Sequence, residues 1–240
     1  MLVLFDLDLT LVSTGGAGRG AMEAAGRALF GPGFARRGVE FAGRLDPVIL
    51  ADLLAANGLE PTPARADAFR RAYRDELEAA LRERADRCRV LPGVPELLDA
   101  VEREGWTLGL LTGNFEETGR LKLRACGLDA DRFPVRVWGD ASREEPHERH
   151  KLVAAALERW RRGPAEAAVV IGDTPHDVAG ALHHGARPIG VCTGGHDRFA
   201  LESAGAALVV DDLSDTEALI AWMRRPAAAA GASGASAPAR

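Results

Sequence analysis

The residues best placed to do chemistry in this chain are aspartates that come in spaced pairs. Asp6 and Asp8 stand two apart in FDLDLT, directly after the apolar run LVLF. Asp173 and Asp177 stand four apart in GDTPHD, directly after AAVVIG. A third apolar run, TLGLL, ends in Thr112-Gly113-Asn114, a hydroxyl and two candidate amide donors. Carboxylates converging from two loops, with few other ligand types, suit a hard cation that prefers oxygen, Mg²⁺ above all. Such a cation would neutralise a phosphate and let an anionic nucleophile approach. Thr112 and nearby backbone N–H groups would then bind the phosphoryl oxygens.

These residues need elements that bring them to one edge. The apolar runs at 2–5, 107–111, 167–172, 188–191 and 207–210 read as strands buried on both faces. Helical stretches lie between them at 94–104, 115–126, 146–160, 176–184 and 215–224, the last opening with the capping-box spacing Ser214-Asp215-Thr216-Glu217. Alternation of this kind predicts an α/β fold with a doubly wound parallel sheet. Ligands bind such a sheet just beyond the carboxyl ends of its strands, where all three polar clusters fall. Residues 15–89 break the alternation with helices alone: one begins at Asp46-Pro47 as a capping acid and stops at Asn57-Gly58, and an arginine-rich amphipathic stretch spans 64–87. The expected organisation is a core of 1–14 and 90–225, a helical insert of 15–89, and a flexible Ala/Gly/Ser/Pro tail of 226–240.

FDLDLT resembles the DxDxT motif of the haloacid dehalogenase-like hydrolases, TGN their hydroxyl-bearing second motif and GDTPHD their acidic last motif, in the family's order. The insert is similar to the helical cap of the phosphoglycolate phosphatase and β-phosphoglucomutase-like subfamily. FAGRLD (41–46) resembles its GRTD cap loop, with Leu45 where threonine is usual. The resemblance implies that Asp6 is the nucleophile and forms an aspartyl-phosphate, and that Asp8 protonates the leaving oxygen and then activates water. It further implies that Mg²⁺ is held by the Asp6 and Asp173 carboxylates and the Asp8 backbone carbonyl, with Asp177 in support. Gly113 and Asn114 would flank the phosphate, and Arg44 and Asp46 on the cap loop would touch the leaving group. The substrate class is a small phosphorylated metabolite. The leading expectation is an Mg²⁺-dependent phosphatase. A phosphomutase on the same scaffold and a catalytically silent binding module are the alternatives.

The family also uses a cation to offset nucleophile and phosphate, usually a lysine before the last motif. The usual Lys-Pro is missing from EEPHERHKL, which offers Arg149 and Lys151. Two residues apart on a helix they point about 200° from one another, so one of them faces the site, and Arg149 is preferred. Lys122 reads as a surface or salt-bridge residue, His176 as a solvent-facing helix start and His183-His184 as a helix end; Gly194-Gly195-His196, at a strand end near the site, reads first as a plain loop and second as a flank of the pocket.

Composition excludes other classes. Apolar residues are 47% and charged residues 27% of 240, the balance of a chain that buries a core. A net charge of −5 gives no general pull toward nucleic acid or anionic lipid, and the arginine-rich stretch carries interleaved acids. No apolar run is long enough to span a membrane, and MLVLFDLDLT is unlike a signal peptide. Three widely spaced cysteines form no CxxC and suit a reducing compartment. A cytoplasmic protein is expected.

Overall fold

The computed structural model describes residues 1–141 and 148–226. Chain order is β1 (Leu2–Phe5), β2 (Val12–Ser13), α1 (Ala17–Phe30), α2 (Asp46–Ala56), α3 (Pro63–Glu83), β3 (Arg89–Val90), α4 (Val94–Arg103), β4 (Thr107–Leu111), α5 (Glu116–Ala125), β5 (Val135–Val137), α6 (Arg149–Trp160), β6 (Ala168–Gly172), α7 (Pro175–His183), β7 (Arg187–Val191), α8 (Arg198–Ser203), β8 (Leu208–Val210) and α9 (Thr216–Met223). Six strands form one parallel sheet in the order β5-β4-β1-β6-β7-β8.

The strands are apolar throughout because both faces are covered. Val3 and Phe5 of β1 point into one core with Leu108, Leu110, Val169 and Ile171, closed by Leu97 and Val101 of α4 and Ile220 of α9. Leu2 and Leu4 point into the other with Leu111, Val135 and Val170, closed by Leu152, Val153 and Trp160 of α6. The period of two along a strand and the helices on either side make the doubly wound sheet.

The five expected strand runs lie in this sheet. Not foreseen were β5, whose three residues are too short for a periodicity signal, the two-residue strands β2 and β3, and the helix α8; α1 falls in the stretch expected to be helical, without bounds of its own. Two helix starts differ from the sequence reading. Asp215, not Ser214, caps α9, accepting from Ala218 N–H, because its carboxylate reaches the free amide directly. Asp46 is the first residue of α2 rather than its cap and makes no capping bond to that helix. The expected helix at 146–160 is described from Arg149; its first two residues, like the tail beyond Pro226, lie outside the described residues.

The segment between β2 and β3 carries α1, α2 and α3, and β2 pairs with β3 antiparallel, Val12 opposite Val90. The three helices bury their own apolar cluster, with Met22, Phe34, Leu53, Phe69, Tyr73 and Leu77, joined from α5's N-terminus by Phe115. Burying each large side chain stabilises by roughly 1.5–3 kcal/mol, enough for the insert to have a core of its own.

Candidate active site

Strand register builds the site. Phe5 pairs with Leu110 of β4 and with Ile171 of β6, so Asp6 stands level with Leu111 and Gly172, and Thr112 and Asp173 follow one residue later. Three neighbouring strands thus deliver their first polar residues to one edge, as expected of a parallel sheet. After Asp6 the chain turns back at once: Leu9 holds φ 60° and its N–H donates to Val12 O, so Asp8 stays over the strand end.

Asp6, Asp173 and Asp177 are buried, and each places a carboxylate oxygen within 4.8 Å of the others. Burial pushes Asp6 up to about 7, with Asp177 and Asp8 adding to the effect and Arg149 opposing it. Asp173 is pushed up to about 9, first by burial and then by Asp6 and Asp177. Asp173 fits there because residue 194 is glycine: a Cβ at Gly194 would lie 1.8 Å from Asp173 Oδ2. Asp177 is committed on both oxygens. Its Oδ2 accepts from Thr174 N–H and, at 2.6 Å, from Thr174 Oγ1 in a capping box that starts α7, and its Oδ1 accepts from Arg149.

Arg149 is the first residue of α6 and is buried. Its Nη2 donates to Asp6 Oδ1 at 2.6 Å, to Asp177 Oδ1 and to Leu111 O at 3.2 Å. Burial alone would lower its pKa, but Asp177 and Asp6 outweigh burial and raise it. Its Nε finds no partner among the described residues. Lys151, two residues on, is half-buried and is not among the residues lining the cavity described below.

Three carboxyl groups face one guanidinium in this buried site, and the raised values of Asp6 and Asp173 mark a place where a cation would favour their ionised forms. All the candidate donors are hard oxygens, so the residues present fit a small divalent cation such as Mg²⁺.

Thr112 Oγ1 accepts from Asn114 Nδ2 at 2.7 Å and from Asn114 N–H at 3.3 Å, which leaves its own hydrogen to donate elsewhere. Asn114 Nδ2 also reaches Asp8 Oδ2 at 2.8 Å. Lys122, expected at the surface or in a salt bridge, is buried instead. Its Nζ lies 2.6 Å from Asp8 Oδ2 and 2.6 Å from Asn114 Oδ1, so it is the salt-bridge half of that expectation that holds. Helical position alone gives no warning that α5 turns this residue inward. One signal was present: Lys122 and Lys151 are the only lysines among 30 basic residues.

The cap-loop residues line the same cavity, of about 290 Å³, with Leu9, Met22, Phe41, Ile49 and Tyr73 forming much of its apolar wall. Arg44 pairs through Nη2 with Asp52 Oδ2 at 2.7 Å, inside the insert. Asp46 crosses to α5, its Oδ2 accepting from Phe115 N–H at 3.0 Å and Thr118 Oγ1 at 3.2 Å. Its own N–H donates to Gly113 O at 2.7 Å. The contact is tight: a Cβ on Gly113 would lie 2.3 Å from Arg44 O. Gly195 also lines the cavity, so of the two readings of this segment the structure favours the flank of the pocket. His176 is exposed at the start of α7, and His184 Nε2 lies 2.9 Å from His150 O, tying α7 to α6.

The haloacid dehalogenase-like hydrolase profile matches residues 3–182. A protein of Dickeya dadantii named a probable phosphatase, IndB, is 31% identical over 216 residues, covering 89% of this chain and 90% of its own. The crystal structure of a hydrolase from Pseudomonas syringae superposes with a TM-score of 0.71 at 26% identity, over 92% of this chain and 97% of that one. CbbY from Rhodobacter sphaeroides, solved in complex with phosphate, shares the fold at 24% identity with a TM-score of 0.70, over 89% of this chain and 95% of its own. With the strand-end acids in this arrangement, the chain belongs to the haloacid dehalogenase-like hydrolases, as a hydrolase of the phosphatase kind.

Proposed function

We propose that the protein hydrolyses a small phosphomonoester through an aspartyl-phosphate on Asp6. The observation that carries this reading is the meeting of Asp6, Thr112 and Asp173 at adjacent strand ends with Arg149 bonded to Asp6. In the first half-reaction a carboxylate oxygen of Asp6 attacks phosphorus, and the phosphorus–oxygen bond to the leaving alcohol breaks. Asp8 gives that oxygen a proton. In the second half-reaction Asp8 takes a proton from water, which attacks the phosphoryl group and frees Asp6 and inorganic phosphate. Thr112 donates its free hydroxyl hydrogen to a phosphoryl oxygen. Arg149 offsets the charge of Asp6 and of the incoming phosphate, whose mutual repulsion otherwise opposes attack.

The Asp6 and Asp173 carboxylates and the Asp8 backbone carbonyl would hold Mg²⁺, with Asp177 holding Arg149 and the start of α7 in place. When bound, the ion supplies charge neutralisation at the phosphoryl oxygens. The helical insert serves as a cap whose loop 41–46 closes the cavity, and its apolar wall with Arg44 meets the leaving group.

Asp6→Asn keeps the side chain's size and removes the attacking charge, so turnover of a phosphomonoester with Mg²⁺ should fall by several orders of magnitude. Acid-quenched parent enzyme incubated with a labelled substrate should carry label, and the variant should not. Substantial hydrolysis by the variant would exclude the aspartyl-phosphate. Transfer of label to a sugar hydroxyl in preference to water would identify a mutase.

A further inference from the structure

Asp8 has two oxygens, and the structure treats them differently. Lys122 Nζ and Asn114 Nδ2 both donate to Oδ2, at 2.6 and 2.8 Å, and no described side chain is recorded bonding to Oδ1. The two donors are themselves joined, since Lys122 Nζ also donates to Asn114 Oδ1 at 2.6 Å. Asn114 is tied in turn to Thr112 Oγ1 at 2.7 Å, so the ring of contacts ends on the proposed phosphate-binding hydroxyl. The lysine head sits where α5 meets the insert. A Cβ on Gly18 of α1 would come within 3.2 Å of Nζ and 3.4 Å of Tyr73 Oη on α3. Lys122 is buried with Asp8 half-exposed, so the ammonium comes from beneath while the carboxyl keeps one edge open to the cavity.

We infer that Lys122 is a positioning residue for Asp8. With Asn114 it fixes Oδ2 as an acceptor, and so makes Oδ1 the atom through which Asp8 passes a proton to the leaving oxygen. The inference rests on the phosphatase reading above. It adds a residue from α5, outside the three motif loops, to the apparatus for leaving-group departure. An ammonium and an amide on one oxygen restrict rotation of the carboxyl far more than either donor alone, and proton transfer depends on such alignment. Lys122 is too committed to Asp8 and Asn114 to serve mainly as a phosphate ligand, a role that falls to Arg149 and Thr112.

A positioning role predicts a signature that a purely structural role lacks. The constant kcat/KM covers the steps up to departure of the leaving group, so it reports the proton donation and not the later attack of water. Values for ethyl phosphate, phenyl phosphate and 4-nitrophenyl phosphate, measured with Mg²⁺, span leaving groups from those that need a proton to those that do not. Lys122→Met should lose about a hundredfold on ethyl phosphate, within the range for general acid catalysis, and less than about tenfold on 4-nitrophenyl phosphate. Asp8→Asn should show the same trend, and adding Lys122→Met to it should cost little more, because the two residues act as one unit. Lys122→Arg keeps the charge but not the paired geometry, so it should show a milder loss of the same slope and keeps the test open if the methionine variant does not fold.

Equal loss on all three esters, or losses that add fully to those of Asp8→Asn, would overturn the inference. So would a crystal structure of either Lys122 variant with the Asp8 carboxyl still in its parental orientation. A parent enzyme inactive on all three esters would instead count against the phosphatase reading itself. The structural comparison would then still decide whether Lys122 orients Asp8.

Discussion

Arg149 and Lys151 differ in reach rather than in charge. Arg149 is buried against Asp6 and Asp177, whereas Lys151 lies off the cavity on the same helix. Removing the guanidinium leaves two buried carboxylates without their counter-charge at the place where a phosphate must arrive. Arg149→Ala should therefore lower kcat/KM at least about a hundredfold, as for loss of one electrostatic stabiliser. Lys151→Ala should stay within a few-fold of the parent. Steady-state kinetics of both variants on one phosphomonoester, with folding checked by circular dichroism, decides the matter. The reverse ranking would move the role to Lys151.

Elements place these residues, and the junction between α2 and α5 shows how. Asp46 opens α2 yet satisfies the free N–H of Phe115 and the hydroxyl of Thr118 at the start of α5, so one carboxylate pins the insert to the core. Burial pushes its carboxyl up to about 6, against the pull of Lys122 and of the Phe115 N–H. An acid with a higher pKa folded than unfolded keeps, in the folded chain, a proton that the unfolded chain has released. Its contribution to stability is therefore full below the unfolded value of 3.8 and is lost as pH rises through about 6. Asp46→Asn retains an acceptor oxygen but cannot titrate. The melting temperature of the parent minus that of Asp46→Asn should fall as pH is raised from about 4 to about 7 and then level off. A difference that grows with pH would contradict the burial argument.

On the scale of the whole molecule, the sheet edge gathers three buried carboxyl groups, two of them pushed toward protonation, where a bound cation would displace the protons. Asp6, Asp173 and Asp177 come from two strand ends and meet only in the folded chain, so an ion held there binds the native state and not the unfolded one. At about 100 times its dissociation constant such an ion stabilises by about 2.7 kcal/mol. For a chain of this size that raises the melting temperature by about 5–10 °C. Mg²⁺ should produce a shift of this order over a chelator control, and Asp173→Asn should remove it. An equal shift in the variant, or none in the parent, would place the ion elsewhere.

The sequence by itself determined the parallel sheet, its five main strand runs and the acids at their ends, while the order β5-β4-β1-β6-β7-β8 came from the structure. Strands covered on both faces are unbroken apolar runs, and the first polar residue after each marks the edge where ligands bind. LVLF-Asp6, TLGLL-Thr112 and AAVVIG-Asp173 therefore announce the site in one dimension. Arg149 was the preferred cation in the sequence, but its contacts with Asp6 and Asp177 were not legible there. Tertiary structure alone decided what lies beneath and behind those loops. Lys122 becomes part of the site because α5 packs under the insert, which turns a mid-helix lysine toward Asp8. Asp46 caps a helix 69 residues away instead of its own. Asp173 needs Gly194, contributed from beyond β7. A local pattern encodes which face a residue takes, but not which distant backbone comes to meet it. Those meetings are set by how layers pack, and packing is a property of the whole chain.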